Sequence, residues 1–312
     1  MESNLNFLGR CMYDLDDYSA EEIMHILEAS KIMKEINQRE YKKVPALKGK
    51  TVCTLFFENS TRTLMSFELA ASRLSADIVS FNSSTSSLAK GESLQDTVYT
   101  LDAMGIDCYI IRHSYPGSPQ LVHKHSGKPV LNGGDGRHAH PTQALLDMFS
   151  IYEKRGSLNG MKIAIVGDIA HSRVVRSNLI GMKKLGAEVT ICGPRTLMPG
   201  SMEEVYGCRV SYNLQDALKD ADVVMGLRMQ LERQTDGLFP NLEEYTKHYV
   251  LSKETLKYAK HDALIMHPGP MNRGVEILPE IADSDRSLVL QQVANGVAVR
   301  MALLYLMLGG KV

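Results

Sequence analysis

The residues of this chain best equipped for chemistry are hydroxyls, arginines, histidines and amides, gathered in short clusters that each follow an apolar run. The first cluster is Phe57-Glu58-Asn59-Ser60-Thr61-Arg62-Thr63. Three hydroxyls, one guanidinium and the backbone N–H groups of a starting helix all suit the same ligand, an anion of the phosphate type. A capped helix with an exposed arginine would read the same way in isolation. The Ser-rich run from Asn82 to Glu92 adds hydroxyls, Ser87 among them, and one cation, Lys90. Its composition fits a polar linker as well as a loop that closes over phosphate. Arg112-His113 ends the apolar run Cys108-Tyr109-Ile110-Ile111, and His140-Pro141-Thr142-Gln143 opens a helical pattern. Proline suits a first helical turn, which puts His140 at the helix N-terminus. There its pKa should fall, favouring the neutral imidazole as a hydrogen-bond donor. Later come Arg173, the loop Arg228-Met229-Gln230-Leu231-Glu232-Arg233 and the turn His267-Pro268-Gly269-Pro270. The Pro-Gly-Pro turn fixes its backbone, can aim bare carbonyls at a ligand, and makes Gly269-Pro270 a candidate cis bond.

The elements that must position these clusters follow from periodicity. Thr51 to Phe56 is a short β-branched and aromatic run, a buried strand, and Leu64, Phe67, Ala71 and Leu74 recur at helical spacing after it. Ser60 is placed as the N-cap between them. Ile78–Phe81, Cys108–Ile111 and Val130-Leu131 read as further strands. Ser19 with Glu22 forms a capping box ahead of Ile23, Ile26, Leu27 and Met33, and Ser93 with Asp96 caps another helix. After Lys154–Gly160, read as a connection between domains, the alternation resumes with Lys162–Val166, Val189–Cys192, Val223–Met225 and Ala263–Met266. Leu290, Val293, Val297, Met301, Leu304 and Leu308 give a long closing helix, read as packing. The pattern implies an α/β protein of two doubly wound domains, each a mainly parallel sheet flanked by helices. The expected limits are residues 1–150 and 151–285, with helix 286–312 packing back on the first domain. In such sheets ligands bind beyond the carboxyl ends of the strands, where Arg112 and Arg173 fall.

Composition narrows the partners. With 35 basic and 36 acidic residues among 312, the net charge of −1 gives no reason to expect nucleic acid or an anionic membrane. The turn after Val166 lacks G-x-G-x-x-G, which argues against a dinucleotide. Five scattered cysteines without a C-x-x-C pair argue against a disulfide framework and a zinc site and favour a reducing cytoplasm. His138-x-His140 lacks a third ligand at metal spacing. Met1 to Arg10 has no apolar h-region, and the apolar stretches are expected to fall short of a membrane span.

In this order the clusters closely resemble the transcarbamoylase family, specifically its aspartate-type catalytic chains, from the first strand to the last helix. The resemblance implies transfer of a carbamoyl group from carbamoyl phosphate to the α-amine of L-aspartate, an early step of pyrimidine synthesis, with neither cofactor nor metal. It assigns Ser60, Thr61, Arg62 and Thr63 to the phosphate, and Thr63, Arg112 and His140 to the carbonyl oxygen. Gln143 and the carbonyls of Gly269 and Pro270 would take the carbamoyl NH₂. Arg173 would take the α-carboxylate of aspartate, and Arg228 and Gln230 its β-carboxylate. Ser87 and Lys90 would reach the site of a neighbouring subunit in a homotrimer, and Lys90 would contact both substrates. Regulatory chains or a dihydroorotase are further partners that the resemblance leaves open. Two positions depart from the family pattern: Leu64 stands where Arg is usual, and Gly269 where Leu or Ala is common, the latter implying a looser turn. An ornithine-type transcarbamoylase and a non-catalytic anion-binding homologue are the rival readings, with a dehydrogenase a distant third.

Overall fold

The computed structural model describes residues 5–82, 93–230 and 242–309. The predicted sites Ser87 and Lys90, the stretch Lys90-Gly91-Glu92, and Glu232-Arg233 lie outside them. Nine strands are described: β1 Thr51–Phe56, β2 Asp77–Asn82, β3 Cys108–His113, β4 Val130–Asp135, β5 Lys162–Val166, β6 Glu188–Cys192, β7 Arg209–Ser211, β8 Val223–Gly226 and β9 Leu264–Met266. The helices used below are α1 Ala20–Gln38, α2 Thr61–Arg73, α3 Leu94–Asp102, α4 Ser118–Ser126, α5 Pro141–Arg155 and α6 Arg173–Lys184. They are followed by α7 Met202–Tyr206, α8 Leu214–Leu218, α9 Leu242–Tyr249, α10 Pro279–Ala282 and α11 Val289–Leu308.

The chain divides into two compact units, Met1–Leu146 with Ala294–Val312, and Asp147–Val293. The first holds a parallel sheet in the order β2-β1-β3-β4, the second a parallel sheet in the order β7-β6-β5-β8-β9. In each, the chain starts at an inner strand, winds outward to one side and then returns to the other. The switch falls between β1 and β3 in one unit and between β5 and β8 in the other, which opens a crevice at the strands' carboxyl ends. Both sheets are buried by helices, so their strands are near-continuous apolar runs; β1 is buried at five of six positions.

Local chemistry explains the element ends. Ser19 and Glu22 make both capping-box bonds at α1, whose Ile23, Ile26, Leu27 and Met33 face the core. Ser93 accepts from the Asp96 N–H at the start of α3. The sequence reading differs from the structure in four places. β4 extends through Asn132-Gly133-Gly134-Asp135, beyond the expected Val130-Leu131. A Cβ on Gly133 would come 3.1 Å from the Ile111 carbonyl oxygen, so the close approach of β3 calls for a bare backbone there. On α2 the inward stripe starts at Thr63 and runs through Phe67, Ala70 and Ala71, with Leu64 only half-buried. Lys154 and Arg155 finish α5 instead of breaking the pattern, and the chain leaves the helix at Gly156.

The fourth difference concerns α11. Leu290 and Val293 are exposed, at 84% and 49%, while Gln292, Asn295, Val299 and Arg300 are buried. The buried polar groups turn the helix because they have partners inside. Contrary to the expectation from the apolar stretches, α11 is long and apolar enough to cross a membrane by length and composition. With 67% of that window buried in the protein, it serves as a core helix. None of the five cysteines is disulfide-bonded, and burial pushes the Cys53 and Cys192 thiols up to about 12.

Candidate functional site

In the first unit the functional residues gather at the carboxyl edge of β1, β3 and β4. Arg112 pairs with Phe56 across the β1/β3 ladder, so it stands level with the last residue of β1, just before the cradle begins. Its Nη1 donates to the Gly133 carbonyl at 3.2 Å, and its Nε lies 3.3 Å from the Glu58 carboxylate. The register between β3 and β4 shifts from Ile111 to His113, an irregularity that re-aims side chains at this strand end. His113 packs against Phe57 with ring centroids 4.7 Å apart. Its Nδ1 accepts from the Tyr115 N–H at 3.0 Å. Burial lowers the pKa of His113 against the opposing pull of Glu58, which agrees with an unprotonated Nδ1.

Ser60 takes the N-cap position of α2, and its carbonyl accepts the first intrahelical bond, from the Leu64 N–H at 3.1 Å. The side-chain cap bond expected of Ser60 is not made. Its hydroxyl is therefore not spent on the helix end, where first-turn N–H groups point outward. Thr61 and Arg62 are exposed, while Thr63, at 8% exposure, points into the unit.

The stretch leading to His140 is organised by Asp135, a buried carboxylate at the end of β4. It accepts from Asn132 Nδ2 at 2.8 Å, from the Gly117 N–H at 3.0 Å and from the Ala139 N–H at 3.1 Å. His138 Nδ1 also lies 3.0 Å from it, and that hydrogen bond raises the pKa of His138. His138 is thus engaged by Asp135, which accounts for the H-x-H spacing without a metal. His140, 4% exposed, then begins α5 with its carbonyl accepting from the Gln143 N–H at 3.0 Å. His140 and Gln143 are brought to one helix start, as their spacing predicted.

The second unit presents its groups at the carboxyl edge of β5, β8 and β9, three adjacent strands. Arg173 is the first residue of α6 and is buried, behind Ser172, whose hydroxyl accepts from the Val175 N–H. Arg228 and Gln230 follow β8 and are half-buried. The buried Asp168 ties these two loops together. It accepts from His171 Nδ1 at 2.8 Å and from the Gln230 N–H at 3.4 Å, while Gln230 Nε2 donates to the His171 carbonyl at 3.1 Å.

After β9, the Gly269-Pro270 peptide is cis, as the turn suggested. The Gly269 N–H donates to His267 Nδ1 at 2.8 Å, so that nitrogen is an acceptor. The proton of this neutral imidazole therefore sits on Nε2 and faces Glu276 Oε1 at 3.2 Å. Glu276 Oε1 also accepts from the Asn272 N–H at 2.6 Å, closing the turn. Gly269 has φ +64°, a left-handed conformation that glycine adopts without steric cost. The glycine that looked like a loosening of the turn is the residue type its backbone favours.

Asp135 and Glu276 escaped the sequence reading, and Asp168, which with Gly167 and Arg173 carries part of the family resemblance, had no role assigned to it. Each is a buried acid; a histidine three residues further on was the available signal for Asp135 and Asp168, whereas Glu276 stands nine residues from His267 and carried none.

Residues 10–153 match the family model described as aspartate/ornithine carbamoyltransferase, carbamoyl-P binding domain. Residues 159–307 match the model described as its Asp/Orn binding domain. With both halves matched and the strand-end geometry of each in place, the chain belongs to the aspartate/ornithine carbamoyltransferase family. It is 58% identical over 296 residues to the aspartate carbamoyltransferase catalytic subunit of Moorella thermoacetica, covering 95% of this chain and 96% of that one. The fold is similar to that of aspartate transcarbamoylase from Trypanosoma cruzi in complex with carbamoyl phosphate and aspartate. That likeness has TM-score 0.87 at 28% identity, over 97% of this chain and 98% of that one. It is equally similar, at TM-score 0.87, to ornithine carbamoyltransferase from Pyrococcus furiosus, 31% identical over 99% of this chain and 100% of that one.

Proposed function

We propose that this chain transfers the carbamoyl group of carbamoyl phosphate to the α-amine of L-aspartate, releasing N-carbamoyl-L-aspartate and phosphate, an early step of pyrimidine synthesis. The observation that carries the choice of acceptor is the edge of the second sheet. Arg173 opens α6 after β5, and Arg228 and Gln230 stand on the loop leaving the neighbouring strand β8. Two guanidiniums and an amide suit the two carboxylates of aspartate. The cationic side chain of ornithine would instead require an acidic partner among the acceptor groups. The fold is neutral between the two, matching an aspartate and an ornithine enzyme equally well. The relative at 58% identity carries the aspartate name.

In this reading Ser60, Thr61, Arg62 and Thr63 hold the phosphate at the start of α2. Thr63, Arg112 and His140 donate to the carbamoyl oxygen, and Gln143 with the carbonyls of Gly269 and Pro270 takes the carbamoyl NH₂. The amine lone pair forms the new C–N bond while the C=O pair moves onto oxygen, where preorganised donors stabilise the developing charge. Collapse of this tetrahedral species breaks the bond to phosphate, which departs with the electron pair and accepts the amine proton. Neither a covalent enzyme intermediate nor a metal is required; positioning and electrostatics supply the catalysis. Incubation of the purified protein with carbamoyl phosphate and either aspartate or ornithine tests the proposal. Carbamoyl aspartate should form and citrulline should not; the opposite result, or neither product, overturns it.

We also infer a cytoplasmic homotrimer whose sites are shared, with Ser87 and Lys90 supplied by a neighbour and Lys90 contacting both substrates. Five unpaired cysteines suit the reducing compartment. Regulatory chains or a dihydroorotase would be additional partners of such a trimer. Inactive Lys90→Ala and His140→Ala chains, mixed and reassociated, should regain activity in hybrid trimers. No recovery would mean that Lys90 acts within its own subunit or not at all.

A further inference from the structure

α11 carries one charged side chain deep into the first unit: Arg300 is 4% exposed. A guanidinium that far from water must be held by polar partners, since an uncompensated buried charge is strongly disfavoured. Its Nη1 donates to Ser66 Oγ at 2.8 Å, its Nη2 reaches Thr142 Oγ1 at a longer 3.4 Å, and its carbon lies 4.8 Å from the centre of the Phe67 ring. The two hydroxyls come from different helices. Ser66 lies one turn after Thr63 in α2, and Thr142 is the second residue of α5, between His140 and Gln143. One planar, rigid fork therefore links the second turn of α2 to the first turn of α5, the two helices that start at the carboxyl edge of the sheet.

Gly296, one turn before Arg300 on α11, leaves space for this arrangement. A Cβ there would lie 2.7 Å from Arg300 Nη1 and 3.6 Å from Ser66 Oγ. Glycine inside a helix is otherwise disfavoured relative to alanine, so clearance for the guanidinium is the physical reason for it. Ser66, Gly296 and Arg300 lie outside the chemistry-bearing clusters that the sequence displays, Thr142 sits inside one without an assigned role, and none of the four is expected to touch substrate.

We propose that Arg300 is a positioning residue for carbamoyl phosphate. It sets the spacing between the start of α2, with Ser60 to Thr63, and the start of α5, with His140 and Gln143, so that the donors to the phosphate and to the carbamoyl group stand in register. The inference rests on the reading that these two helix starts hold carbamoyl phosphate.

Full-length Arg300→Met, Arg300→Lys, Gly296→Ala and Ser66→Ala variants test it, read by calorimetric Kd for carbamoyl phosphate, steady-state kcat, KM for aspartate and thermal midpoint. A misplacement of the order of an ångström can cost up to ~10²-fold in rate. We expect Arg300→Met and Gly296→Ala to weaken carbamoyl phosphate binding by about 10-fold or more and to lower kcat. KM for aspartate at saturating carbamoyl phosphate should stay within about twofold of the unmodified value if the fork acts only on the first helix starts. Ser66→Ala should show a smaller loss, and Arg300→Lys should recover part of the Arg300→Met loss. Gly296→Ala is the decisive variant, because it displaces the guanidinium without removing it; its Cβ also comes 3.2 Å from Leu146 Cδ2, and the added helix propensity should keep any fall in thermal midpoint smaller than that of Arg300→Met. Unchanged Kd and kcat in a folded Gly296→Ala or Arg300→Met protein overturn the proposal. So do losses for both substrates that simply follow a falling thermal midpoint. If the unmodified protein fails to bind carbamoyl phosphate, the underlying reading falls and this inference with it; if it binds and the variants match it, only the inference falls.

Discussion

The carboxyl edges of the two sheets solve different problems with the same topology. In the first unit the working groups belong to helix starts and a strand end: Ser60 to Thr63 open α2, His140 and Gln143 open α5, and Arg112 closes β3. Regular elements aim their backbone dipoles and side chains together, which suits an anion of fixed shape. In the second unit Arg228, Gln230 and the Pro268-Gly269-Pro270 turn stand on loops, tied by the buried carboxylates Asp168 and Glu276. There the frame is held from below, and in the proposed reading the acceptor meets individual side chains. With the proposed roles, this is a division of labour: rigid donors for the group that is always transferred, and exchangeable side chains for the acceptor. Equal likeness of the fold to an aspartate and an ornithine enzyme is what such a division would produce.

The sharpest way to break this comparison is in the first unit. Replacing His140 or Arg112 by alanine should lower turnover ~10²–10³-fold, the usual loss when one preorganised donor to a developing oxyanion is removed. A folded variant with unchanged turnover would remove that residue from the donor set. The second unit should respond differently. Arg228→Ala should raise KM for aspartate about 10- to 100-fold, as expected for a lost charge-assisted hydrogen bond, and leave carbamoyl phosphate binding in place. Calorimetric titration of carbamoyl phosphate alone separates the cases; if its Kd shifts as much as the aspartate KM, the two edges are not independent.

The smallest effect concerns the turn after β9. Gly269 sits at φ +64°, where a Cβ costs roughly 1–2 kcal/mol. Gly269→Ala should therefore lower stability by about that amount, read from denaturant midpoints. Stability equal to the parent would mean that this turn relaxes to another backbone conformation, and would weaken the contrast between a firm frame and exchangeable side chains.

Periodicity made the doubly wound units legible because parallel strands covered on both faces must be short apolar runs, and Thr51–Phe56 and Lys162–Val166 are such runs. The clusters at their ends were legible because anion chemistry draws on few residue types. What stayed hidden was set by tertiary contact. β4 was read only as far as Leu131 because close approach to Ile111, which no single-sequence pattern shows, demands Gly133. Ser60 was in the right place yet makes no side-chain cap. α11 was read for its leucines and valines, although the partners of Gln292 and Arg300 decide which side faces inward. A buried polar side chain is invisible to a hydrophobic stripe until its partner, 145 or 234 residues away, is known.

That separation bears on the order in which the molecule can be completed. The second unit is one unbroken segment, Asp147–Val293, whereas the first needs Ala294–Val312 from the far end of the chain. As the polypeptide emerges from a ribosome, β1 to β4 are available first but lack the helix that carries Arg300. The segment made later has all of its strands before α11 is complete. Of the two units, the one translated first is thus completed second, and its nascent helix starts must wait, with their interior face uncovered, for α11 to arrive.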